Sequence, residues 1–232
     1  MSIHKGHRQR LKDRFLTEGL DNFDELYVLE LLLYYCIPRV DTNPIAHRLL
    51  DEFGSLTAVL NASPEDLQRV EGIGENAAIF LSLVMQVGRY YQVKQSKPGE
   101  ILRTIEQCGK FLVPYFYGRE QETVFLLCLD AKCKVISCKM VGQGSVNSAN
   151  IPIRRVVEMA LAANATTVIL AHNHPSGLAI PSKDDIQTTH RVAAALEAVE
   201  IILADHIVVS KNDFVSIVQS QYYKPQETCA VQ

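Results

Sequence analysis

Two histidines and an aspartate lie in one short stretch of the chain, and their side chains are of the types that bind metal ions. His172 and His174 follow the apolar run Thr166–Ala171, which predicts a buried strand. Because residues two apart on a strand point to the same face, we expect both imidazoles side by side. Asp185 follows Pro181 in the first turn of a predicted helix, and the loop before it can return it to the strand end. Two imidazoles and one carboxylate leave a position on Zn²⁺ open for water, as catalytic zinc sites require.

The same stretch has other interpretations. Ser182 and Asp185 also match a capping box, which closes the start of a helix without any metal. The tripeptide His172-Asn173-His174 occurs in some nucleases, but the rest of their ββα-metal spacing is absent. The zinc-deaminase signature, His-x-Glu with Pro-Cys-x-x-Cys, is missing as well. The longer pattern His-x-His-Pro-x6-Ser-x2-Asp rarely arises by chance, so we expect a zinc site.

Composition and charge exclude several classes of protein. The chain has 232 residues, 47% of them hydrophobic and 21% charged, with a net charge of −3, which is typical of a soluble globular protein. It has neither the apolar run of about 18 residues that a membrane helix needs nor a secretory signal. Its six cysteines form no Cys-x-x-Cys pair, so we expect buried thiols and not a cysteine zinc site. These features predict a cytoplasmic protein without a membrane association, and they leave its oligomeric state open.

The chain is predicted to divide at the polar segment 93–100, which contains a Pro-Gly pair typical of a linker. Residues 1–92 are predicted to form a helical domain, residues 101–224 mix strands with helices, and residues 225–232 form a tail. In the helical domain we expect helices at 26–37, 44–53, 64–71 and 75–91. In the mixed region we expect strands at 123–129, 134–140, 166–171, 201–209 and 214–218, and helices at 154–164 and 182–199.

Two features of the helical domain are compatible with DNA as a partner. Gly72 and Gly74 match a helix-hairpin-helix pattern, in which a tight glycine turn brings backbone N–H groups to a phosphate. Glu71 and Glu75 flank these glycines, so a packing or protein-contact role is the alternative. Residues 4–14 hold five Lys or Arg against one Asp, and they form either a basic arm that contacts phosphates or a solvated helix face.

The metal pattern resembles that of the JAMM (MPN+) metallohydrolases, and residues 101–224 resemble the C-terminal domain of bacterial RadC-like proteins. The N-terminal half is also similar to theirs, so the resemblance covers nearly the whole chain. One segment departs from the family, because Arg155 stands where RadC-like proteins usually have Glu. The matching segments are Arg10–Arg14, Glu30–Leu33, Phe53–Leu56, Gly72–Gly74, Gly144–Asn147, Ala171–Gly177, Pro181–Asp185 and Asp205–Val209.

This resemblance implies an α/β JAMM domain of the cytidine-deaminase-like three-layer type, preceded by a small all-α helix-hairpin-helix domain. It implies a zinc-dependent metallopeptidase or isopeptidase that acts on a peptide or protein substrate. The alternative is a DNA-associated repair or recombination protein, including a metal-dependent nuclease.

The resemblance also assigns roles to individual residues. The Zn²⁺ ligands would be His172, His174 and Asp185. Ser182 would hydrogen-bond the oxyanion of the tetrahedral intermediate, and Glu122 would be the general acid and base, with Glu120 as its competitor. Two further polar residues, Asp205 and His206, either support the ligands or form a polar pair at a strand start.

Overall fold

Helices form the first part of the chain, and a five-stranded sheet with helices on both faces forms the second. The computed structural model describes residues 6–95, 99–144, 151–175, 177–211 and 213–220. Two units are distinguished, Met1–Gly88 and Arg89–Gln232. Outside the described residues lie 96–98 of the predicted linker, 145–147 of the matching segments, Ser176, Asn212 and the predicted tail.

The first unit is helical. Its elements are α1 (His7–Glu18), α2 (Glu25–Cys36), α3 (Asn43–Phe53), α4 (Leu56–Asn61), α5 (Pro64–Leu67) and the first part of α6 (Glu75–Gln95). Short side chains begin these helices: Asp24 caps α2, Ser55 caps α4 and Ser63 caps α5. Gly54 ends α3 in a left-handed conformation that glycine adopts without strain.

The helix predictions for this unit were close for α2, α3 and α6, but the helix predicted at 64–71 ends after the four residues of α5. α2 and α3 end near the predicted residues, and the core of the unit is built from their leucines and isoleucines together with residues of α6. α6 continues through Gln95, so it includes the start of the predicted linker at Val93. The six residues of α4 were not predicted, because one and a half turns are too short to show a helical period.

The second unit contains the sheet, whose strands follow the order β2-β1-β3-β4-β5. β1 pairs antiparallel with both β2 and β3, β3 pairs parallel with β4, and β4 pairs antiparallel with β5. The five strands are β1 (Thr123–Leu129), β2 (Val135–Gln143), β3 (Thr167–Asn173), β4 (Ile202–Ser210) and β5 (Asp213–Ser216). The helices are α7 (Ile105–Phe116), α8 (Ile153–Ala162) and α9 (Lys183–Glu197).

Side chains that alternate along the central strands give the sheet two apolar faces. Phe125 and Leu127 of β1 pack with α7, whereas Val124 and Leu126 pack with α8 and α9. The unit therefore has three layers, with α7 on one face and α8 and α9 on the other. α7 was not predicted from the sequence, although Thr104 begins it with a capping box.

Cysteines and helix lengths in the described part of the chain can be compared with the expectations from composition. The five cysteines within it are free, and those of β1 and β2, Cys128 and Cys138, pack into the clusters on opposite faces of the sheet. Each helix in the described residues is too short or too polar to cross a membrane.

Candidate metal centre

The structure brings together the three residues that the sequence singled out as metal ligands. His172 is the second-last residue of β3, His174 follows the strand, and Asp185 lies in the first turn of α9. β3 alternates its side chains, so His172 shares a face with Leu170, which packs in the cluster beneath α9. One donor atom from each of the three side chains lies within 4.8 Å of the other two.

The distances between the donor atoms are those of a small three-sided site. His172 Nε2 lies 2.9 Å from His174 Nε2 and 3.1 Å from Asp185 Oδ1, and His174 Nε2 lies 3.5 Å from Asp185 Oδ2. Tetrahedral zinc with bonds of about 2.0–2.1 Å separates its ligand atoms by about 3.3 Å. His172 and Asp185 are buried, but 16% of the His174 side chain is exposed, so the site is accessible beside His174.

The donor set fits a cation better than it fits a closed hydrogen-bond network. His174 Nδ1 lies 3.0 Å from the carbonyl oxygen of Leu178, which can only accept, so Nδ1 carries the hydrogen and Nε2 has a lone pair. Asp185 Oδ1 is buried and makes no hydrogen bond of good geometry. Electron-rich atoms therefore converge on one point, and they repel each other unless a metal ion or a proton lies between them.

The pKa shifts of Asp185 and His174 agree with a site that attracts a cation. Burial alone would raise the pKa of the Asp185 carboxyl, but the neighbouring His172 and His174 outweigh burial and hold it well below its usual range. Asp185 in turn raises the pKa of His174, and the carboxylate of Glu122 adds to that effect. The site thus stabilises positive charge, whether a proton or a metal ion supplies it.

Ser182 and Asp185 form the capping box that was the alternative to a metal site. The Ser182 N–H donates to Asp185 Oδ2 at 2.6 Å, and the Asp185 N–H donates to Ser182 Oγ at 3.1 Å. Asp185 Oδ1 remains directed at His172. The capping box and a metal site are therefore compatible, because they use different oxygens of one carboxylate.

Glu122 lies directly before β1, and the strand register brings it towards the histidines. Val124 pairs with His172, so continuing the antiparallel register by two residues places Glu122 beside His174 on the same face. Glu122 is half-buried, whereas Glu120 is exposed and two residues further out. The position of Glu122 and its effect on the pKa of His174 favour Glu122 over Glu120 as the acid/base candidate.

Comparison with known families agrees with this geometry. The family described as "RadC-like JAB domain" matches residues 102–222, more than half of the chain. The chain belongs to the RadC family. It is similar to a UPF0758 protein of Fusobacterium nucleatum subsp. nucleatum, with 34% identity over 223 residues that cover 93% of this chain and 96% of the relative. A UPF0758 protein of Ruegeria pomeroyi is 33% identical over 211 residues, which cover 91% of this chain and 94% of that protein.

JAB domains are generally domains of metal-dependent hydrolases, and the donor set of this RadC-family chain suits such a role. The segment that departs from the family pattern lies at the start of α8. Arg154 pairs there with Glu158, and both Arg154 and Arg155 are exposed. Nothing in the structure explains the arginine at position 155.

Asn173, between the two histidines, has a structural role that the sequence patterns did not indicate. Its side-chain Oδ1 accepts the backbone N–H of Thr123 at 2.7 Å, and its Nδ2 donates to the carbonyls of Arg119 and Gln121 at 3.2 Å each. This side chain joins the segment that carries Glu122 to the strand that carries the histidines. A polar residue between two candidate ligands at a strand end was the available signal.

The Asp205–His206 pair separates onto opposite faces of the sheet. His206 is fully buried, and its Nε2 lies 2.8 Å from His172 Nδ1. Its Nδ1 lies 2.7 Å from the hydroxyl of Thr189, another residue that the sequence analysis missed. Asp205 Oδ1 instead accepts the backbone N–H groups of His206 and Val218. Thr189 follows Asp185 by one helical turn, and that spacing could have indicated its position.

The structure accounts for Gly72 by its backbone conformation and its packing, without a bound phosphate. Gly72 has a φ of 97°, and a Cβ at this position would lie 2.9 Å from the side chain of Ile45. The Arg48 guanidinium also donates to the carbonyl of Glu71 beside it. The helix before this turn, α5, has only four residues, so the helix-hairpin-helix assignment of Gly72 and Gly74 stays a prediction.

Proposed function

We propose that this RadC-family chain is a zinc-dependent hydrolase that cleaves peptide or isopeptide bonds in a peptide or protein substrate. The observation that carries the proposal is the convergence of the His172, His174 and Asp185 donor atoms within 4.8 Å. The strand register brings Glu122 beside His174, and the capping box joins Ser182 to Asp185, so these two residues would supply a base and a hydroxyl donor. This combination suits the hydrolysis of a carbonyl compound.

Zinc, when held by His172, His174 and Asp185, supplies a Lewis acid that acidifies water and polarises a carbonyl group. The other steps belong to the chain's own residues. Glu122 would accept a proton from the attacking water and deliver it to the leaving nitrogen. The Ser182 oxygen accepts the Asp185 N–H, and its hydroxyl, which also hydrogen-bonds the Asp185 carboxylate, would turn to donate to the developing oxyanion.

The first test is the metal content of the purified protein and of His172→Ala and Asp185→Ala variants. We expect about one zinc per chain in the wild type and loss of zinc in both variants, because three protein ligands hold a catalytic zinc. His47→Ala is the matched control, since His47 is exposed on α3 of the other unit. If the wild type is folded but contains no zinc, Ser182 and Asp185 would serve only as a helix cap.

The second test is a screen of the zinc-loaded protein against a fluorogenic peptide library and an isopeptide-linked substrate. Cleavage of either that is lost in His172→Ala would support the proposal. DNA cleavage by the wild type that is also lost in this variant would instead favour the nuclease alternative. DNA cleavage that survives His172→Ala would exclude this site from that role.

A further inference from the structure

We infer that His206 and Thr189 are positioning residues, which hold His172 in the tautomer that presents its Nε2 lone pair to a metal ion. The inference deepens the proposed function and rests on it for the identity of the metal. Both residues lie behind His172, away from the accessible side of the site. Each is fully buried in the second unit.

The hydroxyl oxygen of Thr189 lies 2.7 Å from the carbonyl oxygen of Asp185. A carbonyl oxygen can only accept, so the one hydroxyl hydrogen is committed to this bond. The same Thr189 oxygen lies 2.7 Å from His206 Nδ1, and it must accept there. His206 therefore carries a hydrogen on Nδ1.

His206 on β4 contacts His172 on β3. His206 contacts a hydroxyl through one ring nitrogen and an imidazole through the other, and its complete burial disfavours a charged ring. With a hydrogen on Nδ1, neutral His206 has a lone pair on Nε2. His172 Nδ1, 2.8 Å away, must donate to that lone pair. The remaining nitrogen of His172, Nε2, then has a lone pair directed at His174 and Asp185.

The hydrogen-bond chain thus begins at the backbone of one candidate ligand, Asp185, and ends at the ring of another, His172. Its direction is set by a carbonyl group, which has no hydrogen to give. His174 has the same tautomer, because its Nδ1 donates directly to the carbonyl oxygen of Leu178. In the opposite tautomer His172 would direct an N–H at the metal position, and it could not bind there.

The test replaces Thr189 by Val, which keeps the shape of the side chain and removes the hydroxyl. Thr189→Ser is the matched control, because it keeps the hydroxyl. Zinc affinity is measured by competition with a chromophoric chelator at fixed pH. We expect Thr189→Val to bind zinc about 10–100-fold more weakly and Thr189→Ser to match the wild type.

A second measurement reports the tautomer itself, without activity and without zinc. Two-bond ¹H–¹⁵N correlation spectra of the zinc-free protein distinguish a hydrogen on Nδ1 from one on Nε2, with His172 assigned by its absence from His172→Ala. We expect the Nδ1–H form in the wild type and in Thr189→Ser, and a mixture of forms in Thr189→Val. If Thr189→Val does not fold, the wild-type spectrum decides alone, and an Nε2–H form of His172 overturns the inference.

Failure of this inference and failure of the proposed function have different signatures. Unchanged zinc affinity and an unchanged His172 tautomer in Thr189→Val would overturn the positioning role and leave the proposed function standing. A wild type that binds no zinc or hydrolyses no peptide, but has His172 in the Nδ1–H form, would overturn the proposed function. The positioning of His172 would then stand as a property of the fold.

Discussion

At the scale of single residues, the Ser182–Asp185 pair illustrates how a helix cap and a candidate metal ligand share one carboxylate. Asp185 Oδ2 accepts the Ser182 N–H, which fixes the carboxylate plane and directs Oδ1 at His172. The start of α9 thereby sets the position of this candidate ligand without the help of a metal ion. A ligand held in this way loses little conformational entropy on binding.

Ser182→Ala should affect both stability and catalysis. Loss of the N-cap should lower the free energy of unfolding by about 1 kcal/mol. Loss of the hydroxyl donor should lower kcat by about 10²–10³. The matched control is Ser63→Ala, because Ser63 caps α5 in the same way. Urea unfolding and peptide hydrolysis measure the two effects, and equal kcat in the two variants would contradict the oxyanion role of Ser182.

Glu122→Gln should keep zinc and lose hydrolysis. The amide has nearly the shape of the carboxylate but cannot accept the proton of water, so kcat should fall by about 10²–10⁴. Glu120→Gln is the matched control, since Glu120 is exposed two residues earlier. Zinc stoichiometry and initial rates are measured on both variants. Full activity in Glu122→Gln, or loss of activity in Glu120→Gln alone, would show that the base is misassigned.

Asp205 provides a pH prediction on the face of the sheet opposite the candidate metal centre. Burial raises the pKa of its carboxyl, although Ser216 and two backbone N–H groups act against that shift. Above the ordinary pKa of about 3.9, the unfolded chain loses this proton while the folded chain keeps it, so stability falls as the pH rises through that window.

Asp205→Asn cannot ionise and should escape this loss of stability. Relative to the wild type, the variant should therefore gain stability between about pH 4 and the raised pKa, by about 1.4 kcal/mol for each pH unit of that interval. Urea unfolding at pH 4 and pH 7 measures the difference. A difference between variant and wild type that is equal at both pH values would contradict the raised pKa.

At the scale of elements, the centre depends on how β1 and β3 meet. The Asn173 side chain joins β3 to Arg119 and Gln121, which precede Glu122, and to the first residue of β1. The ladder between these strands aligns Val124 with His172, and Asn173 extends that alignment past the last strand pairing. The base candidate and the two histidines among the candidate ligands are therefore held by the paired ends of β1 and β3.

Asn173→Ala should reduce catalysis without removing zinc. The Thr123 N–H would lose its buried acceptor, at a cost of about 1–3 kcal/mol in the free energy of unfolding, and the segment with Glu122 would shift. Asn173→Asp keeps that acceptor but directs a buried carboxylate oxygen at the carbonyls of Arg119 and Gln121, so it should also displace this segment. Zinc stoichiometry, unfolding and kcat are measured together. Loss of zinc in Asn173→Ala at full folding would mean that Asn173 acts on the ligands and not on Glu122.

At the scale of the whole molecule, charge limits how the helical unit could bind DNA. The net charge is −3, and the basic residues of the N-terminal segment are partly used inside their own unit. Arg8 donates to the carbonyl of Val40 at 2.7 Å and lies over the ring of Tyr34. Arg10 is exposed and is therefore the better candidate for contact with phosphates.

The DNA hypothesis makes a specific prediction for Gly74. A Cβ at Gly74 would meet no atom within 4 Å, so Gly74→Ala should leave the fold unchanged. If the glycine turn approaches a phosphate, the same Cβ would block it, and duplex affinity should fall by about tenfold or more. Binding that also weakens steeply with salt and with Arg10→Glu would support the hypothesis. Salt-independent binding, or full DNA affinity in Gly74→Ala, would show that this turn does not contact DNA.

Much of the centre was determined by the sequence alone, because it depends on short-range geometry. The alternation of a strand placed His172 and His174 on one face, and a cap pattern placed Asp185 in the first turn of a helix. The bounds of β1 were predicted from a run of seven apolar and β-branched residues. These features need only neighbouring residues, so a single sequence contains them.

Only the tertiary structure decided which distant residues meet at this centre. β4 lies beside β3 with a register shift after Val168, and this shift puts His206 opposite Leu170, on the face of His172. A one-residue change in register would have turned Asp205 to that face instead. Thr189 and Asn173 likewise act through partners 17 and 50 residues away. Such contacts follow from strand order and register, which local sequence patterns do not specify.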